Sequence, residues 1–125
     1  MDLKENTNQV FQQVTKAIQE TGREDGSVSV IAVTKYVDIA TAANLIDQGV
    51  KHIGENRVDK FLEKYHALSD KDVTWHLIGS LQRRKVKDII PYVDYFHALD
   101  SLKLAQEIQK RANRTVKCFL QVNIS

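Results

Sequence analysis

The chain has 125 residues, of which 42% are hydrophobic and 27% charged, with a formal net charge of +2. That balance fits one globular domain with a modest core and excludes a disordered chain; the charge is too small to argue for nucleic acid or an anionic membrane by itself. A single cysteine, Cys118, excludes an intrachain disulfide, and no apolar stretch approaches the roughly 20 residues needed to span a bilayer.

Met1 to Gln9 is polar and mixed in charge, unlike a secretory signal. From Leu3 to Thr21, the residues Leu3, Val10, Phe11, Val14, Ala17 and Ile18 share one helical stripe, and Gly22 supplies a stop. Val28 to Val33 is a continuous apolar run, as in a strand buried on both faces. It runs on into Thr34-Lys35. Asp38 caps the next helix, which turns Ile39, Ala42, Ala43 and Ile46 inward and ends at Gly49. Val50 to Ile53 reads as a short second strand. Val58, Phe61, Leu62 and Tyr65 mark the following helix. Val73 to Ile78 is a third strand, and a helix with Val86, Ile89 and Ile90 facing inward is stopped by Pro91. Tyr95 to Ala98 is a weak fourth strand. Asp100 or Ser101 caps a helix carrying Leu104, Ala105, Ile108 and Ala112, and Val116 to Ile124 is the fifth and longest strand. Cys118, inside that apolar run, reads as a small buried hydrophobe rather than a reactive thiol.

Strand starts recur every 21 to 23 residues or so, about the size of a compact strand-plus-helix unit. Such alternation implies a parallel sheet covered by helices. A doubly wound sheet and a (β/α)8 barrel both fit. The uniform unit, and the lack of a Gly-x-Gly-x-x-Gly turn after the first strand, favour the barrel. A barrel needs eight strands and five are present, so the chain reads as the N-terminal part of a longer protein. On that reading its first and fifth strands are unpaired edges, Val116, Phe119, Leu120 and Val122 lack cover, and the isolated chain self-associates.

In a parallel sheet the residues just past each strand share one rim. They are Thr34-Lys35-Tyr36, Gly54-Glu55-Asn56-Arg57, Gly79-Ser80-Leu81-Gln82, Asp100-Ser101, and Asn123 with Ser125; His76 lies inside the third strand. Polar groups converging in this way suit a small-molecule site. Lys35 reads either as a solvated strand-end lysine or as an amine that attacks an aldehyde. Alternation along the strand should turn Tyr36 away from it. Asn56 could donate to a phenolate or carbonyl oxygen, or Glu55 and Asn56 could simply begin a helix. His76 could meet a ligand or be a satisfied core histidine, and Asp100-Ser101 reads as a cap. His52, His66 and His97 lack metal-ligand spacing with each other or with Cys118, so no metal is assigned. There is no Walker A motif and no nucleophile elbow. Arg83 to Lys87 reads as a solvated helix face, with an anion or nucleic-acid site as the other reading.

The phrases Ala32-Val33-Thr34-Lys35, Gly54-Glu55-Asn56, Trp75-His76-Leu77-Ile78-Gly79-Ser80-Leu81-Gln82 and Gln121-Val122-Asn123-Ile124-Ser125 occur in this order. Together they closely resemble the pyridoxal-phosphate homeostasis protein family, whose barrel is similar to the N-terminal domain of alanine racemases. The resemblance implies a TIM-type barrel in which pyridoxal 5′-phosphate forms a Schiff base with Lys35, with Asn56 and His76 at or near the cofactor. It implies a cytoplasmic, monomeric cofactor carrier without catalytic turnover, so no residue is assigned as catalytic. Pyridoxal-phosphate-dependent apo-enzymes are implied as partners. Nucleic acid and membrane are not. Arg84 stands where many members have asparagine. The implied phosphate cradle and the arginine facing the pyridine nitrogen belong to later strands. A racemase or decarboxylase on the same barrel is the enzymatic alternative, and a nucleic-acid module acting through residues 83–87 is a third.

Overall fold

A computed structural model describes residues 3–24, 26–122 and 124. Five parallel strands form one sheet in the order β1-β2-β3-β4-β5. They are β1 (Ile31–Val33), β2 (His52–Glu55), β3 (Thr74–Leu77), β4 (Tyr95–Leu99) and β5 (Lys117–Leu120). The helices are α1 (Leu3–Glu20), α2 (Ile39–Asp47), α3 (Val58–Leu68), α4 (Val86–Ile89) and α5 (Leu102–Arg111). Strand order follows chain order without a reversal, so these five strands have no switch-point crevice of the doubly wound kind.

The register fixes which side chains share a face. Ile53, Trp75, Leu77 and Phe96 lie on one side, and they join Phe61, Leu68, Leu104 and Ile108 of the helices in a single core. Aromatic rings dominate its middle. Phe61 meets Trp75 edge-on at 5.5 Å, and Tyr65 lies 4.7 Å from Tyr92. The opposite face carries Ile31, Val33, His52, His76, Tyr95 and Lys117.

Local sequence explains most boundaries. Asp38 caps α2 by accepting from the Thr41 N–H at 2.8 Å, and Ser101 caps α5 through the Leu104 N–H at 3.1 Å. Gly49 leaves α2 with φ of 105°, a backbone state that favours glycine. Four expectations need correction. The first strand is only three residues long, because its partner β2 begins at His52, opposite Ile31; Val28 is left exposed. The fourth helix is a single α turn between two 3-10 turns, Arg83–Lys85 and Ile90–Tyr92, and Pro91 sits inside the second of these. β4, the weak strand of the sequence reading, is the longest at five residues, whereas β5 pairs over four. Cys118 is exposed because β5 is an edge strand, although partial burial still pushes its thiol pKa up. Phe119, Leu120 and Val122 are exposed as expected, while Val116 packs partly against the core.

Candidate functional site

Lys35 stands on a turn just past β1. The Thr34 N–H continues the sheet ladder by donating to the Gly54 carbonyl at 3.0 Å. The Val37 N–H then donates back to the Thr34 carbonyl at 3.0 Å, which makes Lys35 and Tyr36 the two central residues of a turn. Strand alternation stops applying there. Contrary to expectation, the Lys35 Nζ lies 5.3 Å from the centroid of the Tyr36 ring, in cation–π range. Both side chains are exposed. A cavity of about 550 Å³ adjoins the turn, lined by Lys35, Tyr36, Asp38, Lys60, Glu63 and Lys64 among others.

Beneath this turn lies a buried ion pair. The Lys64 Nζ sits 2.8 Å from Glu55 Oε1, with side-chain exposures of 5% and 0%. Lys64 also donates to the Thr34 carbonyl, and the Thr34 hydroxyl donates to Glu55 Oε2 at 3.2 Å. The residue before Lys35 is therefore held through both its backbone and its side chain. The sequence reading placed Glu55 just past the second strand, with a helix start as one reading; it is instead the last residue of β2, and Arg57 precedes α3. Lys64 was missed. Its signal was a charge at a core-facing position of α3, three residues after Phe61 and four before Leu68.

Asn56 is exposed at the tip of β2, with its backbone packed against Gly79 beyond β3. A cavity of about 460 Å³ lies alongside, lined by Asn56, Arg57, Ser80, Gln82, Arg84 and Lys85 among others. Arg57 is paired with Asp59 at 2.9 Å. Arg83, Arg84 and Lys87 are exposed. Asp100 is exposed beside the capping Ser101, while Asn123 and Ser125 lie outside the described residues.

His76 is buried on the face of the sheet opposite the core, 3% exposed. Its Nε2 lies 2.9 Å from His52 Nδ1 and its Nδ1 lies 2.8 Å from His97 Nε2. Tyr95 stacks on it, with ring centroids 4.7 Å apart and planes 9° apart. Both of its ring nitrogens are thus engaged by other imidazoles. Sequence reasoning missed His52 and His97 as its partners; their spacing at about one strand-plus-helix unit was the available signal. Burial, then the neighbouring His97 and His52, hold the His76 pKa down from 6.5 to about 4. The unfolded chain therefore takes up a proton in that window that folded His76 refuses. Its contribution to stability is complete above pH 6.5 and is lost as pH falls toward about 4. Urea midpoints should drop between neutral pH and about pH 4.5, and His76→Gln should flatten that dependence. An unchanged slope in the variant would assign the effect to other groups.

No family model matches the chain. A pyridoxal phosphate homeostasis protein of Aquifex aeolicus is 38% identical over 127 residues, which cover 99% of this chain and 56% of that protein. Other curated relatives carry the same name. The one from Pseudomonas aeruginosa is 31% identical over 97% of the chain and 54% of its own length. The chain spans about half the length of these curated relatives. Among solved structures, PipY of Synechococcus elongatus without pyridoxal phosphate superposes with a TM-score of 0.76 at 33% identity, covering 89% of this chain and 54% of PipY. The same protein with pyridoxal phosphate bound gives 0.65 at 33% identity, over 77% of this chain and 46% of PipY. The likeness to this family therefore extends from sequence to the five-stranded parallel sheet.

Proposed function

We propose that this chain is part of a (β/α)8 barrel that binds pyridoxal 5′-phosphate through Lys35 and serves cofactor homeostasis without catalytic turnover. The observation that carries the reading is the accessible amine of Lys35 on its clamped turn, in a chain 38% identical to a pyridoxal phosphate homeostasis protein over 99% of its length. The residues fit one end of the cofactor. Pyridoxal phosphate supplies an aldehyde, which condenses with a primary amine. Lys35 presents such an amine beside an open cavity, and Asn56 offers an amide donor at the neighbouring strand tip. His76 would lie below them on the sheet. The phosphate end is not matched among the described residues, because their positive-φ glycines, Gly22, Gly26 and Gly49, lie in the loops that lead into β1 and β2 rather than at the strand tips.

The unreversed strand order supports barrel architecture, since strands added always on one side leave one face for helices and the other to close on itself. No helix among the described residues is long and apolar enough to cross a membrane. A cytoplasmic carrier that exchanges its cofactor with apo-enzymes belongs to the same proposal. Borohydride should fix the cofactor onto the full-length protein at Lys35, located by peptide mass spectrometry. Lys35→Ala should lose the label. Retention of the label in that variant would sink the reading, and racemisation of alanine by the full-length protein would replace it with a true enzyme.

A further inference from the structure

His52, His76 and His97 come from three successive strands, and their rings meet in series on the face of the sheet away from the core. The two N···N separations, 2.9 and 2.8 Å, are hydrogen-bond distances. A neutral imidazole donates from one nitrogen and accepts at the other. His76 uses both nitrogens, so the bond on one side determines the bond on the other. Only two neutral arrangements satisfy the chain. In one, all three rings carry the proton on Nδ1; in the other, all three carry it on Nε2. The free ends are His52 Nε2 and His97 Nδ1.

We infer that these three histidines form a proton relay across the face of the sheet away from the core, leading from the start of β2 through β3 to the third residue of β4, and so toward the end of the sheet that carries the strand tips. Starting from the all-Nδ1 state, a proton enters at His52 Nε2. His52 passes its Nδ1 proton to His76 Nε2, His76 passes its Nδ1 proton to His97 Nε2, and His97 releases one proton from Nδ1. One proton enters, one leaves, and the chain is left in the all-Nε2 state. Passage in the opposite direction restores it.

The surroundings suit this task. His52 is the first residue of β2, whereas His97 is the third of β4, so the series climbs toward the rim. His76 is buried, and its neighbours are half-buried with a free nitrogen each, so its route to solvent runs through them. Tyr95 stacks on His76, and Phe119 lies 4.7 Å from His97. The other ionisable groups that the register places on this face of the described strands are Tyr95 and Lys117, joined to each other at 3.3 Å. Neither has a hydrogen bond to the three histidines among the described contacts. No acid therefore fixes a permanent charge on the chain, and a neutral series can switch direction. The purpose, supplying and removing protons when Lys35 exchanges amines, rests on the cofactor reading above. The relay itself does not.

The relay is tested without cofactor, by nuclear magnetic resonance of imidazole nitrogens in isotope-labelled full-length protein. The three rings should share one tautomer. His52→Asn, at a half-buried position, should shift the tautomer balance of His97, which it does not touch. It should also slow exchange of the His76 ring proton with solvent by about tenfold or more, because an amide cannot pass a proton as imidazole does. His76→Phe should uncouple His52 from His97. Mixed tautomers in the native protein, or a His97 that ignores His52→Asn, would overturn the inference. So would unaltered His76 exchange in that variant. Borohydride labelling of the native protein separates the two proposals. A native protein that labels but whose three tautomers are uncoupled refutes only the relay, and coupled tautomers in a protein that never labels refute only the cofactor site.

Discussion

Replacing Lys64 with methionine is expected to destabilise the protein by about 3–5 kcal/mol, because it strands an unpaired carboxylate in the interior. Glu55 is fully buried, and Lys64 is the only cation described within ion-pair distance of it. After the substitution the carboxylate would keep only the Thr34 hydroxyl, and the Thr34 carbonyl would lose its lysine donor. The double variant Glu55→Gln, Lys64→Met is expected to recover a large part of the loss, since neutral groups of similar size avoid the cost of burying charge. Recovery should be incomplete, because the Thr34 carbonyl keeps the Val37 N–H but still lacks its lysine donor. Urea denaturation of both variants and the parent measures this. Equal instability of the single and double variants would mean that the pair matters for packing rather than for charge. The ion pair need not add net stability to have a structural effect. It fixes the residue before Lys35, and with it the turn that presents the amine.

Gly79→Ala is expected to be the second most damaging change at the strand tips. An added Cβ would sit 2.1 Å from the Asn56 carbonyl oxygen, 2.8 Å from its carbon and 3.0 Å from Asn56 Cα. All three atoms are backbone, so no rotamer change can relieve the overlap. One of the two turns must move, at a cost at or above the usual range of about 1–3 kcal/mol for overpacking. Gly54→Ala provides the comparison. There the added carbon would meet a side-chain methyl of Ile31 at 3.1 Å, at the edge of the sheet, where a small shift relieves it. Thermal or urea midpoints should therefore fall further for Gly79→Ala than for Gly54→Ala. Backbone amide resonances around Asn56 should move in the first variant and stay in the second. The opposite order would show that the tip of β2 yields more easily than its contacts imply.

Much of this architecture was legible in the sequence because apolar runs and caps report local geometry. Asp38 and Ser101 cap the helices assigned to them, and each strand falls within or beside its apolar run. Errors arose where a partner, not the run itself, sets the limits. Val28 is as apolar as Val33, yet β2 has no residue in register to pair with it. β5 shortens, and Cys118 is exposed, for the related reason that one side of the strand is an edge. The site was legible unevenly. Lys35 and Asn56 lie at strand tips as read, because loops after parallel strands must emerge there. The Lys64–Glu55 pair and the three-histidine series depend on contacts between units, and no single segment carries them. The histidines recur at roughly the spacing of the strand-plus-helix unit, but that coincidence acquires meaning only once the strands are aligned.

The unbroken strand order also bears on how the chain folds. Each pairing among the described strands joins neighbours one unit apart in the chain, as Ile31 pairs with His52 and Tyr95 with Lys117. None of the five described strands has to be threaded between two that are already joined. The sheet can therefore lengthen by one strand at a time in the order of synthesis, with every addition closing a loop of about the same modest size. Such growth keeps sequence separations short for a parallel sheet, which favours faster folding than a sheet that assembles from distant segments.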